Sequence, residues 1–322
     1  MTPIFLLSQP RAGSTLLQRK LSEHRDIASV DEPWILLPLL LARHEGMVTG
    51  VHDQTVLVRA LQDFCDQLPD GQRDWDAAVR QFAHTLYARS CPEGTRYFLD
   101  KTPRYTLAAQ DLIRTFPEAR FIILWRDPMS VVHSINDTWG GGRWAVHRHE
   151  VDVYAGLEGL CDAADLLGER AFTLRYEDLT EAPEAQLAAL YEWLGLAPKA
   201  LLPEQERQAF SGQMGDPKRH GDGGKVQAAS GKMGWRQAPL TPARRRWMRR
   251  YLDWIGPERM ARMGYDLASW QADLAAVPGT SRGQLRDMAH LAFATLYRTV
   301  NYPVVRQKLK NHLQGRRNFV QK

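Results

Sequence analysis

The stretch PIFLLSQPRAGSTLLQRKLSEH, residues 3–24, decides the fold. Its opening, residues 3–8, is apolar without alternation, as a strand covered on both faces must be. Gln9 and Pro10 break the run, and a short loop follows with Gly13 between a cation, Arg11, and two hydroxyls, Ser14 and Thr15. Leu16, Leu17 and Leu21 then recur at helical spacing. Strand, tight loop and helix in that order begin a βαβ unit, and a chain that repeats the unit builds a central parallel sheet flanked by helices. Ligands of such sheets bind beyond the carboxyl ends of the strands.

The alternation continues outward from that stretch. Helical patterns occupy residues 33–44, 54–67 and 74–90, followed by a strand-like RYFLD at 96–100 and a helix near 105–115. RFIILW, 120–125, is a fully apolar strand running into Arg126, Asp127 and Pro128. There Asp127 suits a helix cap and Pro128 its first turn. A helix over 150–168, a strand over 171–176 and a helix over 181–194 complete an α/β pattern. Residues 211–234 are rich in Gly, Lys and small polar side chains and read as a long loop, a kind of segment that often carries function. The C-terminal region reads as mostly helical, with 278–283 a linker between an α/β domain of residues 1–277 and a basic helical arm of 278–322.

Composition narrows the classes. At 322 residues, 44% hydrophobic and 25% charged, the chain can bury a sizeable core, which excludes a disordered or collagen-like protein. The net charge is +5, yet residues 301–322 hold Lys and Arg with no acid, and 241–262 gathers a further block of arginines. Both read as solvated faces, or as surfaces drawn to an anionic ligand or to membrane headgroups. Three scattered cysteines give neither a disulfide framework nor a zinc site. The N-terminus lacks a basic leader, and the other apolar run, 35–42, is too short to span a bilayer, so a cytoplasmic protein is expected.

Two loops carry the chemistry. In the first, residues 9–15, a helix N-terminus presents unpaired N–H groups to an anion, Gly13 permits close approach, and Arg11, Ser14 and Thr15 add donors. Simple helix capping is the alternative. The loop is no Walker A sequence, because the spacing and the lysine before the hydroxyls are missing. In the second, Arg126 ends an apolar strand and Ser134 follows eight residues on, about two helical turns later. The alternative is Arg126 paired with Asp127 and Ser134 as an ordinary helix residue. Together the loops define two anion sites on one sheet, as a ligand with phosphates at both ends needs.

These residues resemble the sulfotransferases that use 3′-phosphoadenosine 5′-phosphosulfate (PAPS). PRAGSTLL, which holds Arg11, Ala12, Gly13, Ser14 and Thr15, resembles that family's 5′-phosphosulfate loop, and RDPMSVVHS resembles the segment whose Arg and Ser, here Arg126 and Ser134, hold the 3′-phosphate. RYEDLTEAP resembles the family's YEDL element and implies an adenine contact for Tyr176. ASGKMGWRQ resembles the late loop that closes over the nucleotide and implicates Ser230, Lys232 and Arg236. The resemblance implies a P-loop-NTPase-like sulfotransferase fold, PAPS as co-substrate with 3′-phosphoadenosine 5′-phosphate (PAP) as product, and no metal.

One departure is informative. Many cytosolic members place a catalytic His in a Lys-Thr-His stretch, whereas this chain reads Lys101, Thr102, Pro103. Bacterial and protein-tyrosine members, which it resembles more, use a Glu after the first helix; Glu32 stands at the matching place, beside Asp31. The resemblance therefore implies Glu32 as base, Arg11 as the cation on the leaving oxygen, and Lys101 as a support for the transferring group. The other reading of Asp31 and Glu32 is dipole support for a helix starting near Pro33. Trp34, Trp139 and Trp144 are candidates for an acceptor wall or for core. His133, His147 and His149 lack metal-ligand spacing, and 140–142, three glycines, suggest a hinge or a plain loop. The expected acceptor is a small molecule, carbohydrate or lipid-like hydroxyl; no nucleic-acid partner is expected, while basic helices leave peripheral membrane contact and homo-oligomerisation open. The competing classes are a P-loop-type small-molecule kinase, for which Asp100 would have to hold Mg²⁺, and a non-catalytic nucleotide- or anionic-surface-binding protein.

Overall fold

A computed structural model of the protein describes residues 1–44, 54–198, 200–203 and 234–299, and six positions beyond them (305, 306, 309, 310, 313 and 314). Strand β1 (Thr2–Ser8) leads into helix α1 (Ser14–Leu21), then β2 (Ile27–Ser29), α2 (Leu37–Leu41), α3 (Gln54–Asp66), α4 (Gln72–Ser90) and β3 (Tyr97–Asp100). A 3₁₀ turn, Pro103–Ala108, continues as α5 (Ala109–Thr115), followed by β4 (Arg120–Trp125), α6 (Pro128–Gly140), α7 (Glu150–Val153), α8 (Ala155–Leu167) and β5 (Ala171–Arg175). Helices α9 (Tyr176–Glu181), α10 (Pro183–Trp193), α11 (Pro242–Arg262), α12 (Leu267–Ala276) and α13 (Gln284–Thr299) complete the described chain.

The five strands form one parallel sheet in the order β2-β3-β1-β4-β5, with β1 central. From β1 the chain turns to the β3 side of the sheet, and from β4 it turns to the other, so the crossovers diverge at the β1/β4 border. That border is the switch point where open α/β sheets hold their ligands. Side chains alternate across the sheet as the strand period demands. Ile4, Leu6, Leu99, Ile122 and Leu124 pack one face against α1 and α10, while Phe5, Leu7, Phe98, Phe121 and Ile123 pack the other against α5, α8 and α11. On that second face Phe5 sits 5.0 Å from the Phe116 ring and 5.7 Å from the Phe121 ring.

The α/β architecture expected from the sequence is present, with local corrections. The helix expected over 33–44 shrinks to α2, because Trp34 has a left-handed φ of 57° and residues 30–36 are drawn inward toward β3. The first turn of the helix near 105–115 is 3₁₀, and the rest is α-helical. The helix over 150–168 breaks at Tyr154, and that over 181–194 at Ala182. The segment 241–262 is helical but interrupted at Gly256, whose φ of 74° no helix accommodates. Strand β2, three residues long, was not expected at all. The three glycines terminate α6: Gly141 is its left-handed cap, and Gly142 donates to the Asn136 carbonyl.

The C-terminal helices pack on the sheet's own core. Met248, Tyr251, Leu252 and Ile255 of α11 belong to the Phe5 cluster, and Tyr251 donates to the Val153 carbonyl at 2.9 Å. Leu240 exchanges backbone hydrogen bonds with Pro278 and Thr280 at 2.9 and 3.0 Å, which ties residues 278–280 beside the start of α11. Asp287 of α13, fully buried, accepts from Arg244 Nε at 2.7 Å and Thr241 Oγ1 at 2.9 Å. No helix among the described residues is long and apolar enough to cross a membrane. The loop expected at 211–234 lies outside the described residues except for Gly234.

Candidate active site

The site forms where β1, β3, β4 and β5 end. After β1, Arg11 and Gly13 both take left-handed backbone conformations, φ 68° and 97°, which turn the chain sharply into α1. Gly13 is required there on two counts. Its φ suits glycine, and a Cβ at that position would lie 2.2 Å from Cδ2 of Tyr176. Helix α1 has no side-chain cap and no acid in its first turn, so its leading N–H groups are left for a ligand. Ala12 and Ser14 are buried and Thr15 half-buried within the same turn.

The second loop meets the first directly. Arg126 donates from Nη1 to the Arg11 carbonyl at 2.6 Å, and its guanidinium lies 4.4 Å from the centre of the Tyr176 ring. Arg126 does not take Asp127 as its partner: Asp127 caps α6, accepting from the Met129 N–H at 3.0 Å and from Ser130 Oγ at 2.6 Å. Arg126 Nε is buried and has no hydrogen-bond partner among the described residues. Ser134, expected to share an anion with Arg126, accepts from Arg11 Nε at 3.3 Å, and Arg11 in turn accepts from Arg126 through its carbonyl. Tyr176, the first residue of α9, lies under Gly13 and Arg126 with little of its surface exposed, and burial pushes its phenol pKa up.

The third group assembles around β3. Lys101, 1% exposed, donates to Glu32 Oε1 at 2.7 Å and reaches Thr15 Oγ1 at 3.4 Å. Trp34 Nε1 donates to the other Glu32 oxygen at 3.1 Å. Glu32 is thus held between a lysine and an indole beside the α1 turn, and with the helix beginning only at Leu37 it supports no helix dipole. Asp31 is half-buried next to it. Thr102 Oγ1 donates to Asp100 Oδ1 at 3.0 Å, while Tyr87 and Tyr105 donate to Oδ2 at 2.6 and 2.9 Å. Asp100 is fully buried, and that burial raises its carboxyl to about 6 against the hydrogen bonds that lower it. Its oxygens face inward onto these three hydroxyls.

Around these groups runs a second arc. Arg104 lies 5.7 Å from the Trp34 ring and holds Asp152 through both oxygens, at 2.8 and 3.1 Å. Burial would raise the Asp152 carboxyl, but the His149 ring, 3.8 Å away, and the hydrogen bonds from Arg104 outweigh it and hold the carboxyl below the usual range. His149 stacks on Trp139 at 4.4 Å, and Trp139 in turn lies 5.8 Å from the Arg11 guanidinium. Trp34 and Trp139 therefore flank the site, whereas Trp144 is core, edge-on to Trp247 at 5.2 Å.

Of the late loop, Ser230 and Lys232 lie outside the described residues. Arg236 is described: it pairs with Asp273 Oδ2 at 2.5 Å and sits over the rings of Trp235 and Trp270, and its Nε is buried without a hydrogen-bond partner among the described residues. Trp235 and Trp270 both point their indole N–H at Asp127, 2.6 Å to Oδ2 and 2.7 Å to Oδ1. Sequence reading passed over these two tryptophans, since each is an isolated aromatic more than 100 positions from the aspartate it binds.

Buried guanidinium N–H groups without partners and an uncapped helix N-terminus are the donors a phosphate or sulfate ester needs, so the residues present fit such a ligand. Among the described residues no group of three or more His, Cys, Asp or Glu is placed to hold a metal ion.

Residues 3–199 match the family model described as "Sulfotransferase family". Nodulation protein NoeE of Sinorhizobium fredii is 30% identical over 222 residues, 62% of this chain and 51% of that protein. Protein-tyrosine sulfotransferase 2 of Gallus gallus is 26% identical over 202 residues, 61% of this chain and 52% of that protein. The chain thus spans about half the length of these curated relatives. Among solved structures, the sulfotransferase domain from the Synechococcus PCC 7002 olefin synthase superposes with a TM-score of 0.51 at 25% identity, covering 74% of this chain and 89% of that one.

Proposed function

The chain belongs to the sulfotransferase family, and we propose that it moves a sulfuryl group from PAPS to a hydroxyl on a small-molecule, carbohydrate or lipid-like acceptor. The observation that carries this reading is the 2.6 Å hydrogen bond from Arg126 to the Arg11 carbonyl. It ties the two loops together at the β1/β4 switch point, which supports a single anion site there.

PAPS would supply an activated sulfuryl group on a phosphate leaving oxygen. Arg11 and the first-turn N–H groups of α1 would carry the charge that develops on that oxygen; a guanidinium does so as a permanent cation and donates no proton. Lys101 and the hydroxyls of Ser14 and Thr15 would steady the transferring group, the electrostatic positioning that dominates catalysis of this kind. Glu32 would take the acceptor's proton as the new oxygen–sulfur bond forms and the bond to the leaving oxygen breaks. Arg126 and Ser134 would hold the 3′-phosphate, Tyr176 would floor the adenosine side, and Ser230, Lys232 and Arg236 would close over it. One relative is named an omega-hydroxy-beta-dihydromenaquinone-9 sulfotransferase, which favours an acceptor of small-molecule or lipid-like type here. Trp34 and Trp139 would line its entry.

Calorimetric titration of PAP into the wild type and Arg126→Ala, with ATP as control, tests the donor site. Micromolar PAP binding that ATP does not match and that the variant loses is expected. Equal binding of ATP, or none of PAP, would overturn the reading in favour of a kinase or a non-catalytic binding protein.

A further inference from the structure

Asp127 is more than a helix cap. Its side chain is fully buried and accepts four hydrogen bonds, of which only those from the Met129 N–H and Ser130 serve α6. The other two come from Trp235 and Trp270, residues brought in from beyond the sheet. Burying a carboxylate is costly unless its oxygens are filled, so the two indoles are held firmly. Arg236 is next to Trp235 in the chain, and its guanidinium lies over both rings, 5.5 and 5.2 Å from their centres. On the other side Arg126 is next to Asp127. The hydrogen bond between Asp127 and Trp235 therefore links the chain neighbours of two arginines, each with a buried Nε that has no partner among the described residues.

We infer that Asp127 is a positioning residue for the nucleotide, acting through Trp235 and Trp270 to set Arg236 in the same anion site as Arg126. Trp270 lies on α12, beyond the 3–199 stretch that matches the family model. The inference rests on the nucleotide reading above and assigns to α12 a part in donor binding. Trp270 supplies one ring under Arg236 and, one turn on, Asp273 supplies its ion pair.

The test is PAP titration of the wild type, Trp270→Phe, Arg236→Ala and the double variant, with thermal melting of each in the absence of ligand. Phenylalanine keeps an aromatic ring under the guanidinium and removes the N–H that reaches Asp127 together with part of the indole's packing area, so Asp127→Asn, which leaves Trp270 whole, is measured beside it. Losing one hydrogen bond to a carboxylate is expected to weaken PAP binding about tenfold. In the Arg236→Ala background the same change should cost less than about twofold, because a residue acting through another has nothing left to position. Asp127→Asn, which keeps one oxygen for the α6 cap, is the second variant and should behave alike should Trp270→Phe fail to melt cooperatively. A merely structural role would lower melting temperatures and leave the affinity changes additive, and that result overturns the inference. So does PAP affinity unchanged in a folded Trp270→Phe protein whose wild type binds PAP. Absence of PAP binding by the wild type would instead overturn the nucleotide reading itself, and this inference with it.

Discussion

At the scale of single residues, Gly13 and Glu32 answer different questions. Gly13 is a matter of space: its left-handed backbone and the Tyr176 ring 2.2 Å from where a Cβ would stand leave room for hydrogen alone. Gly13→Ala must push Tyr176 off the Arg126 guanidinium or unwind the α1 turn, at about 1–3 kcal/mol. Chemical denaturation should show that loss, and PAP binding should fall with it, whereas an alanine at the exposed Gly94 should leave binding unchanged. Glu32 is a matter of chemistry. It is held by Lys101 and Trp34 without being sealed away, so its oxygens are aligned beside Thr15 and the α1 turn. Glu32→Gln keeps the shape and removes the proposed base. Turnover on an acceptor found by screening should drop about 10²–10⁴-fold, with PAP affinity within threefold of wild type by the rough tolerance of non-contacting changes. A comparable loss of PAP affinity would show that the carboxylate serves the donor rather than the acceptor.

At the scale of elements, the strand-to-helix junctions could be read from sequence because their signals are local. The unbroken apolar runs of β1 and β4, Gly13 after one and Asp127-Pro128 after the other, each need only a few neighbouring residues to be recognised. What escaped depends on contacts far apart in the chain. Strand β2 exists because Ile27–Ser29 pairs with β3, seventy positions on, and three residues carry no periodicity. The end of α2 nearest the site is shortened because Glu32 and Trp34 are drawn to Lys101 and Thr102. Asp100 at the end of β3 shows the same dependence, its three hydroxyl donors coming from α4, the 3₁₀ turn and Thr102. Burial raises its folded pKa from 3.8 to about 6, so the folded protein binds a proton there more tightly than the unfolded chain does. The sign follows: Asp100 stabilises the fold most at low pH, and that contribution falls as pH rises from about 4 through 6. Across this window the difference in unfolding free energy between wild type and Asp100→Asn should shift by on the order of 3 kcal/mol toward the variant. Denaturant titrations at pH 4 and pH 7 measure it, and a pH-independent difference would contradict the assignment.

For the molecule as a whole, the decisive question is whether the C-terminal helices behave as an appendage or as part of the sheet's own cooperative unit. Their contacts favour the latter. Core residues of α11 share a cluster with β1, Tyr251 is hydrogen-bonded to the Val153 carbonyl, and Asp127 binds indoles on both sides of α11. The turn before α12 is tied in too, through Tyr265 donating to Glu177 at 2.7 Å while Glu177 accepts from the Asp127 N–H at 3.1 Å. Helix α13 joins this assembly through the buried Asp287 held by Arg244, whose own side chain is 20% exposed, through Gln284 accepting from the Ala243 N–H at 3.2 Å, and through His290 and Phe293 against the His147 ring. Deleting one partner of a pair so buried strands the other charge, which costs about 3–5 kcal/mol. If α13 and the sheet unfold together, Asp287→Ala should lower one calorimetric transition by several degrees, its van't Hoff and calorimetric enthalpies still equal. Arg244→Ala should cost as much or more, because it leaves the carboxylate buried. A new low-temperature transition in either variant, with the main one unmoved, would instead make α13 an independent unit, and the proposed anion site would then stand on the sheet and α11–α12 without it.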